Sequence, residues 1–278
     1  MPAALSVPGD VLAGAVASAG TPRPRIVATM ASSVALYWAG MALNDYADAT
    51  VDAVERPERP IPSGRVARRT ALATACGLTA AGLGLAALAG GRRVLGVALP
   101  LTGLVWAYDL GLKSTPAGPA AMAGARALNV LAGAEPGRRA SAVPAALLIG
   151  AHTYSVTALS RHEVSGAPRT VPAATLAGST ATALAAAALP GVRRQSRAAR
   201  IGAAAGAIGY LASYGTAQAR AAREPSPANV RTAVGTGILS LMPLQAALTA
   251  GGGGALPAGV LALAHPLARR LARKVSPT

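Results

Sequence analysis

Long apolar runs recur along the chain and are separated by short polar segments. A membrane-spanning helix needs about 20 mostly apolar residues, with a workable range of roughly 17–25. The pattern therefore predicts a series of nine such helices and a less regular tenth stretch. The nine lie at 5–20, 26–46, 66–90, 94–112, 117–135, 141–160, 170–190, 199–220 and 229–249, and the tenth at 255–268. We expect an all-α, multi-pass transmembrane bundle that forms a single domain over residues 1–278.

The first apolar stretch is the weakest of the series, because it contains Gly9 and Asp10. It lacks the basic start and the cleavage site of a secretory signal, so we interpret it as a retained helix. Counting the crossings from it places four connections on one face of the membrane, at 47–65, 113–116, 161–169 and 221–228. The basic residues that flank the spans are divided almost evenly between the two faces, so they do not set the orientation.

Charged residues make up 13% of the chain, about half of the roughly 25% that is usual in soluble domains. The chain has 32 Gly and no Phe, which is typical of helices that pack closely through small residues in a membrane. Its net charge of +16 also suggests nucleic-acid binding. However, the basic residues stand in separated pairs between apolar stretches, without aromatic residues for base stacking. We therefore assign them to membrane flanks and expect a lipid bilayer, not nucleic acid, as the partner.

Half of the acidic residues are concentrated in one segment. Five of the ten lie between Asp45 and Glu58. On a helix, Asn44, Asp48 and Asp52 are four residues apart and share a face. Carboxylates grouped at a membrane boundary repel each other unless a cation neutralises them. Mg²⁺ takes such oxygen ligands and shares them with substrate phosphates. The alternative is a solvated helix end that carries the acidic residues without binding a metal.

Residues 56–65, RPERPIPSGR, contain three Arg and three Pro and form a stiff loop whose guanidinium groups suit phosphate oxygens. The pattern Asn-Asp-x-x-Asp-x-x-x-Asp followed by Arg-Pro-Ile-Pro-Ser-Gly resembles the first signature of the UbiA superfamily of intramembrane prenyltransferases. The resemblance implies nine transmembrane helices. It also implies that Asn44, Asp48 and Asp52 bind the Mg²⁺–diphosphate end of an isoprenoid donor, with Arg59 and Arg65 as diphosphate contacts.

Two further segments fit the same resemblance. Lys113, in a Tyr-then-Lys segment, would approach the diphosphate, although a lysine at a helix end is also a common anchor at the membrane surface. Asp109, four residues earlier, would do no more than neutralise Lys113. Arg126 and Asn129 lie three residues apart on one face of an apolar helix. An arginine inside the membrane faces a polar cavity or a partner. The resemblance implies that both residues line the diphosphate pocket; the alternative is an Arg paired with a carboxylate to hold helices together.

The second acidic signature of the family departs from its usual form in this chain. At the end of the sixth predicted helix, Ser-Arg-His-Glu-Val-Ser-Gly contains a single carboxylate, Glu163. We expect a second metal site here to be weaker or absent, with Arg161 and His162 contacting the diphosphate directly. Together with Leu-Lys-Ser-Thr-Pro-x-Gly-Pro, this segment is similar to the EboC-like branch of the superfamily.

Other polar residues in the apolar helices allow two interpretations each. His152 lies in the sixth predicted helix and is either a neighbour of the site or a buried histidine that hydrogen-bonds to another helix. Tyr210, Tyr214 and Gln218 are four residues apart on one face. They form either part of an isoprenoid or acceptor pocket or part of the core.

The resemblance implies an intramembrane prenyltransferase in a bacterial plasma membrane. We expect it to move an isoprenoid group from a prenyl diphosphate to an unidentified small-molecule acceptor, with Mg²⁺ as the cofactor that assists diphosphate departure. The alternative from another functional class is a UbiA-fold protein with altered catalysis that transports a lipid or metabolite.

Overall fold

The computed structural model describes residues 5–19, 22–189 and 196–275, and within these ranges the chain is helical and contains no strand. The main helices are α1 (Val7–Ala19), α2 (Ile26–Ala47), α3 (Ala49–Glu55), α4 (Arg68–Leu110), α5 (Gly118–Gly133), α6 (Val143–Ser160), α7 (Thr170–Ala188), α8 (Arg197–Tyr210), α9 (Thr216–Arg223), α10 (Pro227–Gly251) and α11 (Ala255–Val275). By length and composition, five helical segments of the described chain can cross a membrane: those at α2, α4, α7, α10 and Pro136–Ser160, which includes α6.

The predicted multi-pass helical bundle is confirmed, with differences at two places. The element α4 contains both predicted spans, 66–90 and 94–112, as two helical halves that meet at the non-helical residues Gly90 and Gly91. Trp106 Nε1 in the second half donates to Thr79 Oγ1 in the first half at 3.1 Å, so the chain turns back at these glycines. Gly91 has a φ of 58°, a left-handed conformation that favours glycine, so the turn depends on this residue. The span predicted at 199–220 is interrupted by a π-helical turn at Leu211–Gly215. The less regular tenth stretch is helical and extends to Val275.

The four connections that we predicted on one face do meet at one end of the bundle. Lys113 Nζ donates to Asp48 Oδ1 at 2.5 Å, and Arg161 Nη1 donates to the carbonyl oxygen of Thr115 at 2.7 Å. The backbone N–H of Ala167 donates to the carbonyl oxygen of Pro225 at 3.1 Å. Each of these bonds joins two of the predicted connections. At the opposite end, Glu135 pairs with Arg25 at 3.1 Å. The polar segments of interest therefore share one end of the structure.

Helix α1 is held in the bundle by a buried carboxylate. Asp10 is fully buried, and its Oδ2 lies 2.9 Å from Arg126 Nε on α5. Asn129 Nδ2 donates to the same oxygen at 3.0 Å, and Gln245 Nε2 of α10 donates to Asp10 Oδ1 at 2.6 Å. Gly9 leaves room for Gln245, since a Cβ at that position would lie 2.1 Å from Gln245 Oε1. The residues that weaken the apolar pattern of α1 are thus the ones that fix its position.

Close backbone contact between α1 and α5 accompanies this network. A Cβ at Gly133 would lie 2.1 Å from the carbonyl oxygen of Val11, closer than real Cβ contacts occur. Small residues allow helix backbones to approach in membrane proteins, where burying apolar side chains gives no advantage over lipid. Packing through glycine and pairing of buried polar groups therefore act together at this helix pair.

Replacing Asp10 by Ala leaves the guanidinium of Arg126 buried without its ion-pair partner. Breaking a buried pair in this way costs about 3–5 kcal/mol, so we expect a clearly lower thermal unfolding midpoint in detergent. The double variant Asp10→Leu with Arg126→Met should recover much of the loss, because it removes both charges. The control is Glu135→Gln, which removes two partly exposed ion pairs, with Arg23 and Arg25. Pairs near the surface are worth about 0–1 kcal/mol each. An Asp10→Ala protein as stable as this control would contradict the prediction.

Candidate functional site

A cavity of about 640 Å³ lies between α2, α4, α5, α6 and α10. It extends from the loop after α3, which contributes Arg59, to Ser6 and Arg126 at its inner end. Much of the wall between these ends is apolar and comprises Met41, Val105, Met122, Val156, Val234, Ile238 and Leu241. The cavity thus has a polar outer end, an apolar middle and a polar inner end.

At the outer end, the side chains of Asn44 and Asp48 converge on the ammonium group of Lys113. Lys113 Nζ donates to Asn44 Oδ1 at 2.9 Å and to Asp48 Oδ1 at 2.5 Å. Asn44 Nδ2 in turn donates to Asp48 Oδ2 at 3.0 Å. Asn44 lies on the cavity wall. Two oxygens from neighbouring turns therefore point at one cation beside the cavity.

The helical spacing of the motif continues across the junction between α2 and α3. The backbone N–H of Asp48 donates to Asn44 and that of Asp52 donates to Asp48, at 2.9 and 2.8 Å. Nevertheless, Asp52 faces a different cation. Arg59 Nη1 donates to Asp52 Oδ2 at 2.9 Å and to Asp45 Oδ1 at 3.4 Å. The structure thus divides the predicted set of three ligands into an Asn44–Asp48 pair and an Asp52 that binds Arg59.

The Asn44–Asp48 pair fits a magnesium ion of the kind that is shared with phosphates. Mg²⁺ in such sites is held by one or two carboxylates and keeps its other positions for water and substrate. The two oxygens already converge on a positive group, the ammonium of Lys113. In the part of the chain that the structure describes, no three His, Cys, Asp or Glu side chains come together as a metal-binding group. The donor set therefore suits a metal that the substrate helps to bind.

Glu163 lies outside this pair. It is partly buried in the loop after α6, and this burial raises the pKa of its carboxyl group, while Arg231 and Arg56 act in the opposite direction. Both of these neighbours are basic, so the carboxylate is balanced by guanidinium groups. His162 is in the same turn, and its backbone N–H donates to Leu159 at 3.1 Å. Among the described residues, Glu163 does not join Asp48 and Asp52 in a metal-binding group.

Arg65 and Arg161, which we predicted to contact the diphosphate, donate hydrogen bonds to backbone carbonyl groups of loops. Arg65 is exposed, and its guanidinium donates to the carbonyl oxygen of Glu58 at 2.7 Å and to Ser63 Oγ at 3.1 Å. Arg161 is exposed at the same end of the bundle, where it binds the loop that contains Lys113 through the carbonyl of Thr115. In the structure, these two arginines hold loops together.

At the inner end of the cavity, Arg126 lines the wall but its guanidinium is bound to Asp10 and to Ser6 Oγ, at 3.1 Å for the latter. Asn129 is fully buried and binds Asp10 and the carbonyl oxygen of Val7, at 3.0 Å each. Both residues thus bind a carboxylate that joins helices, as in the alternative interpretation, and Arg126 also lines the cavity. Their contact with a diphosphate stays a prediction.

His152 satisfies both of its interpretations. It lines the cavity and is almost completely buried. Its Nε2 is 3.1 Å from the carbonyl oxygen of Gly237, which accepts only, and its Nδ1 is 2.9 Å from the hydroxyl of Tyr210. In the neutral ring, Nε2–H therefore donates to Gly237 and Nδ1 accepts from Tyr210. Tyr210, Tyr214 and Gln218 are fully buried, so the core interpretation of these three residues is correct.

Sequence reasoning missed two features of the wall. Thr153, Thr157 and Ser160 line the cavity from α6, and their spacing of four and three residues was a readable sign of one helix face. Asp109 also lines the cavity. We expected it to neutralise Lys113, but Lys113 makes its ion pair with Asp48.

Fold and site together define a multi-pass helical membrane protein with a cavity whose outer end combines oxygen ligands and cations. The chain matches the model of the UbiA prenyltransferase family over residues 7–276 and therefore belongs to that family.

Curated relatives match parts of the chain. The digeranylgeranylglyceryl phosphate synthase of Methanopyrus kandleri is 42% identical over 110 residues, which are 40% of this chain and 38% of that protein. The synthase of the same name from Methanothrix thermoacetophila is 36% identical over 134 residues, 48% of this chain and 46% of that protein. The aligned segments thus span less than half of these relatives.

Two solved structures share the fold over most of its length. The apo structure of a UbiA homolog from Aeropyrum pernix K1 has a TM-score of 0.66 at 17% identity and covers 88% of this chain and 96% of its own. A structure of digeranylgeranylglyceryl phosphate synthase has a TM-score of 0.61 at 15% identity, with 89% and 93% covered. These comparisons and the apolar helices confirm a UbiA-like integral membrane fold.

The ammonium of Lys113 occupies the point where the Asn44 and Asp48 oxygens converge, so a metal ion bound at that point would have to displace it. We expect Lys113→Met to bind Mn²⁺ alone roughly threefold or more tightly than wild type, equivalent to ~0.7 kcal/mol for a partly exposed pair. Asp48→Asn should change the affinity in the opposite direction. Electron paramagnetic resonance of free Mn²⁺ measures both.

The matched control for the loss of one positive charge is Arg169→Met, at an exposed position on the same end of the bundle. It should leave the Mn²⁺ affinity within twofold of wild type. A Lys113→Met protein that binds Mn²⁺ no better than Arg169→Met would show that the ammonium does not compete with the metal.

Proposed function

We propose that this protein is an intramembrane prenyltransferase that moves an isoprenoid group from a prenyl diphosphate to a small-molecule acceptor. The observation that carries the proposal is the convergence of Asn44 and Asp48 oxygens on a cation beside a largely apolar cavity. A diphosphate needs positive charge, and an isoprenoid chain needs an apolar space. The outer end and the middle of the cavity supply these two conditions side by side.

Asn44 and Asp48 would hold Mg²⁺, which supplies positive charge to the diphosphate oxygens as the allylic carbon–oxygen bond breaks. Lys113 binds both of these ligands, and Arg59 binds the neighbouring Asp45 and Asp52. Each is positioned to exchange a carboxylate partner for a diphosphate oxygen. Such fixed cations stabilise charge that develops in the transition state.

The apolar wall of the cavity would protect the allylic carbocation that forms when the diphosphate leaves. An allylic carbocation reacts with water, and an active site that excludes water prevents this side reaction. Met41, Met122 and Leu241 are among the residues that cover the cavity between its polar ends. We infer that they surround the reacting end of the isoprenoid and leave the acceptor as the available nucleophile.

The outer arginine and histidine of the altered second motif have a smaller role in this proposal. We infer that Arg161 and His162 bind the diphosphate only when the loops carrying Thr115 and Glu163 rearrange, and that the second metal site is weaker than the first. Arg65, which braces its own loop, would contact the diphosphate only after a similar change. We further propose that the matched range is one transmembrane domain.

The acceptor is proposed from the names of the relatives. Segments of this chain are 36–42% identical to the two digeranylgeranylglyceryl phosphate synthases described above. We therefore propose a glyceryl phosphate that carries one prenyl ether and a free hydroxyl as the first acceptor to test. Mass spectrometry of products from a donor series of increasing chain length would identify the preferred donor and show whether this acceptor is used.

Asp48→Ala removes one of the two convergent oxygens and should lower prenyl transfer by about 10²–10³-fold, the usual effect of losing one electrostatic stabiliser of the transition state. The measurement is release of inorganic diphosphate and formation of prenylated product in proteoliposomes with Mg²⁺. Glu224→Gln, at an exposed loop on the same end of the bundle, is the control and should retain full activity. An Asp48→Ala protein with normal turnover would exclude the proposed role of this site.

The same assay separates the enzyme from a transporter. The pairing of Asp48 and Asp52 with Lys113 and Arg59 is also consistent with a site that binds an anionic lipid without reacting with it. A wild-type protein that binds prenyl diphosphate but releases no inorganic diphosphate would support transport.

A further inference from the structure

Asp109 is a carboxylate in the cavity for which the described residues supply no partner. Asp109 is only 6% exposed and lines the cavity near the end of α4. Among the residues that the structure describes, its side chain makes no hydrogen bond and no ion pair with another side chain or backbone group. Buried charged groups are normally paired. An unpaired carboxylate that faces a cavity is therefore available to a ligand inside the cavity.

The cations around it are bound elsewhere. Lys113, four residues after Asp109, pairs with Asp48. Arg59 pairs with Asp52 and Asp45. On the inner side, Arg126 pairs with Asp10. The lack of a partner at Asp109 is thus not a lack of nearby positive charge, since each of these cations is already engaged with another carboxylate.

Space beside Asp109 is provided by Gly40 on α2. A Cβ at Gly40 would lie 3.2 Å from Asp109 Oδ2, and Gly40 itself lines the cavity. Tyr108 and Asn44 lie on the same wall. Asp109 therefore sits between the oxygen ligands of the outer end and the apolar middle, which is the boundary where the reacting carbon of a bound donor would lie.

Other candidate bases in the region are already occupied. Both ring nitrogens of His152 are hydrogen-bonded, to Tyr210 and Gly237. Asp45, Asp48 and Asp52 each bind a cation, and a carboxylate bound to a cation is a poorer proton acceptor. Of these groups, Asp109 is the one whose side chain accepts no hydrogen bond from the described residues.

We propose that Asp109 is a catalytic residue that accepts the proton of a hydroxyl-bearing acceptor during prenyl transfer. In this step the acceptor oxygen forms a bond to the allylic carbon, the bond from that carbon to the diphosphate oxygen breaks, and the hydroxyl proton moves to the Asp109 carboxylate. The diphosphate leaves with the electron pair of the broken bond. The inference rests on the proposed function and adds the acceptor class and its base.

The test separates ionisation of the donor from capture by the acceptor. The probe is geranylgeranyl diphosphate labelled with ¹⁸O at the oxygen that joins C1 to the first phosphorus. When no acceptor is present, reversible breakage of the carbon–oxygen bond moves this label to the other oxygens of the same phosphate group. Transfer to a glyceryl phosphate that bears one free hydroxyl reports the complete reaction. Electron paramagnetic resonance with Mn²⁺ reports metal binding without turnover.

Asp109→Asn should slow transfer by about 10²–10⁴-fold, the usual contribution of a general base. Oxygen exchange in the donor and Mn²⁺ affinity should remain within about twofold of wild type. Asp109→Glu, which keeps a carboxylate, should transfer faster than Asp109→Asn by tenfold or more. Glu224→Gln again controls for a change of carboxylate to amide outside the cavity.

Three outcomes would overturn the inference. Transfer by Asp109→Asn at a rate close to wild type would show that no proton goes to this residue. Loss of Mn²⁺ binding or oxygen exchange together with transfer would place Asp109 at the donor end. An Asp109→Glu protein no faster than Asp109→Asn, in a folded state by its unfolding midpoint, would assign a packing role. A wild-type protein with neither exchange nor transfer would instead contradict the proposed function itself.

Discussion

Charged groups inside a membrane bundle must find partners within the protein, since lipid provides none. In this chain that requirement is met mainly by matching carboxylates with cations one by one. Asp10 binds Arg126, Asp48 binds Lys113 and Asp52 binds Arg59. The first pair fixes α1 against α5, and the other two organise the outer end of the cavity. Both the fold and the candidate site therefore depend on which carboxylate each cation selects.

This dependence explains what could be predicted from the sequence. The helices follow from the length of apolar runs, and the acidic motif stands out because acidic residues are scarce in the chain. The partners of the charges were harder to predict. Arg126 and Asn129 were expected at the diphosphate, but Asp10, 116 residues earlier than Arg126, binds both. Periodicity describes one helix at a time, so it does not show which helix supplies a distant partner.

The same limit applies to the site. The spacing of Asn44, Asp48 and Asp52 correctly predicts a common helical path, and the backbone hydrogen bonds continue through the junction of α2 and α3. It does not predict that Arg59 binds Asp52, because that contact depends on how the Pro-rich loop folds back. Asp109 was assigned to its sequence neighbour Lys113 for a similar reason. The partner of a carboxylate is therefore set more by the charged residues of other helices than by a cation four residues away in the sequence.

The turn at Gly90 and Gly91 has a topological consequence. It folds α4 into two antiparallel halves, as the hydrogen bond from Trp106 in the second half to Thr79 in the first half shows. From Gly91 to Leu110 the second half runs for about 28 Å, at 1.5 Å per residue, and Asp109 lies near its end. The first half begins at the same end of the bundle, where Arg68 Nε donates to the carbonyl oxygen of Tyr46. The carboxylate in the cavity is thus at the open end of a helical hairpin, and its placement depends on how both halves of the hairpin pack against α2.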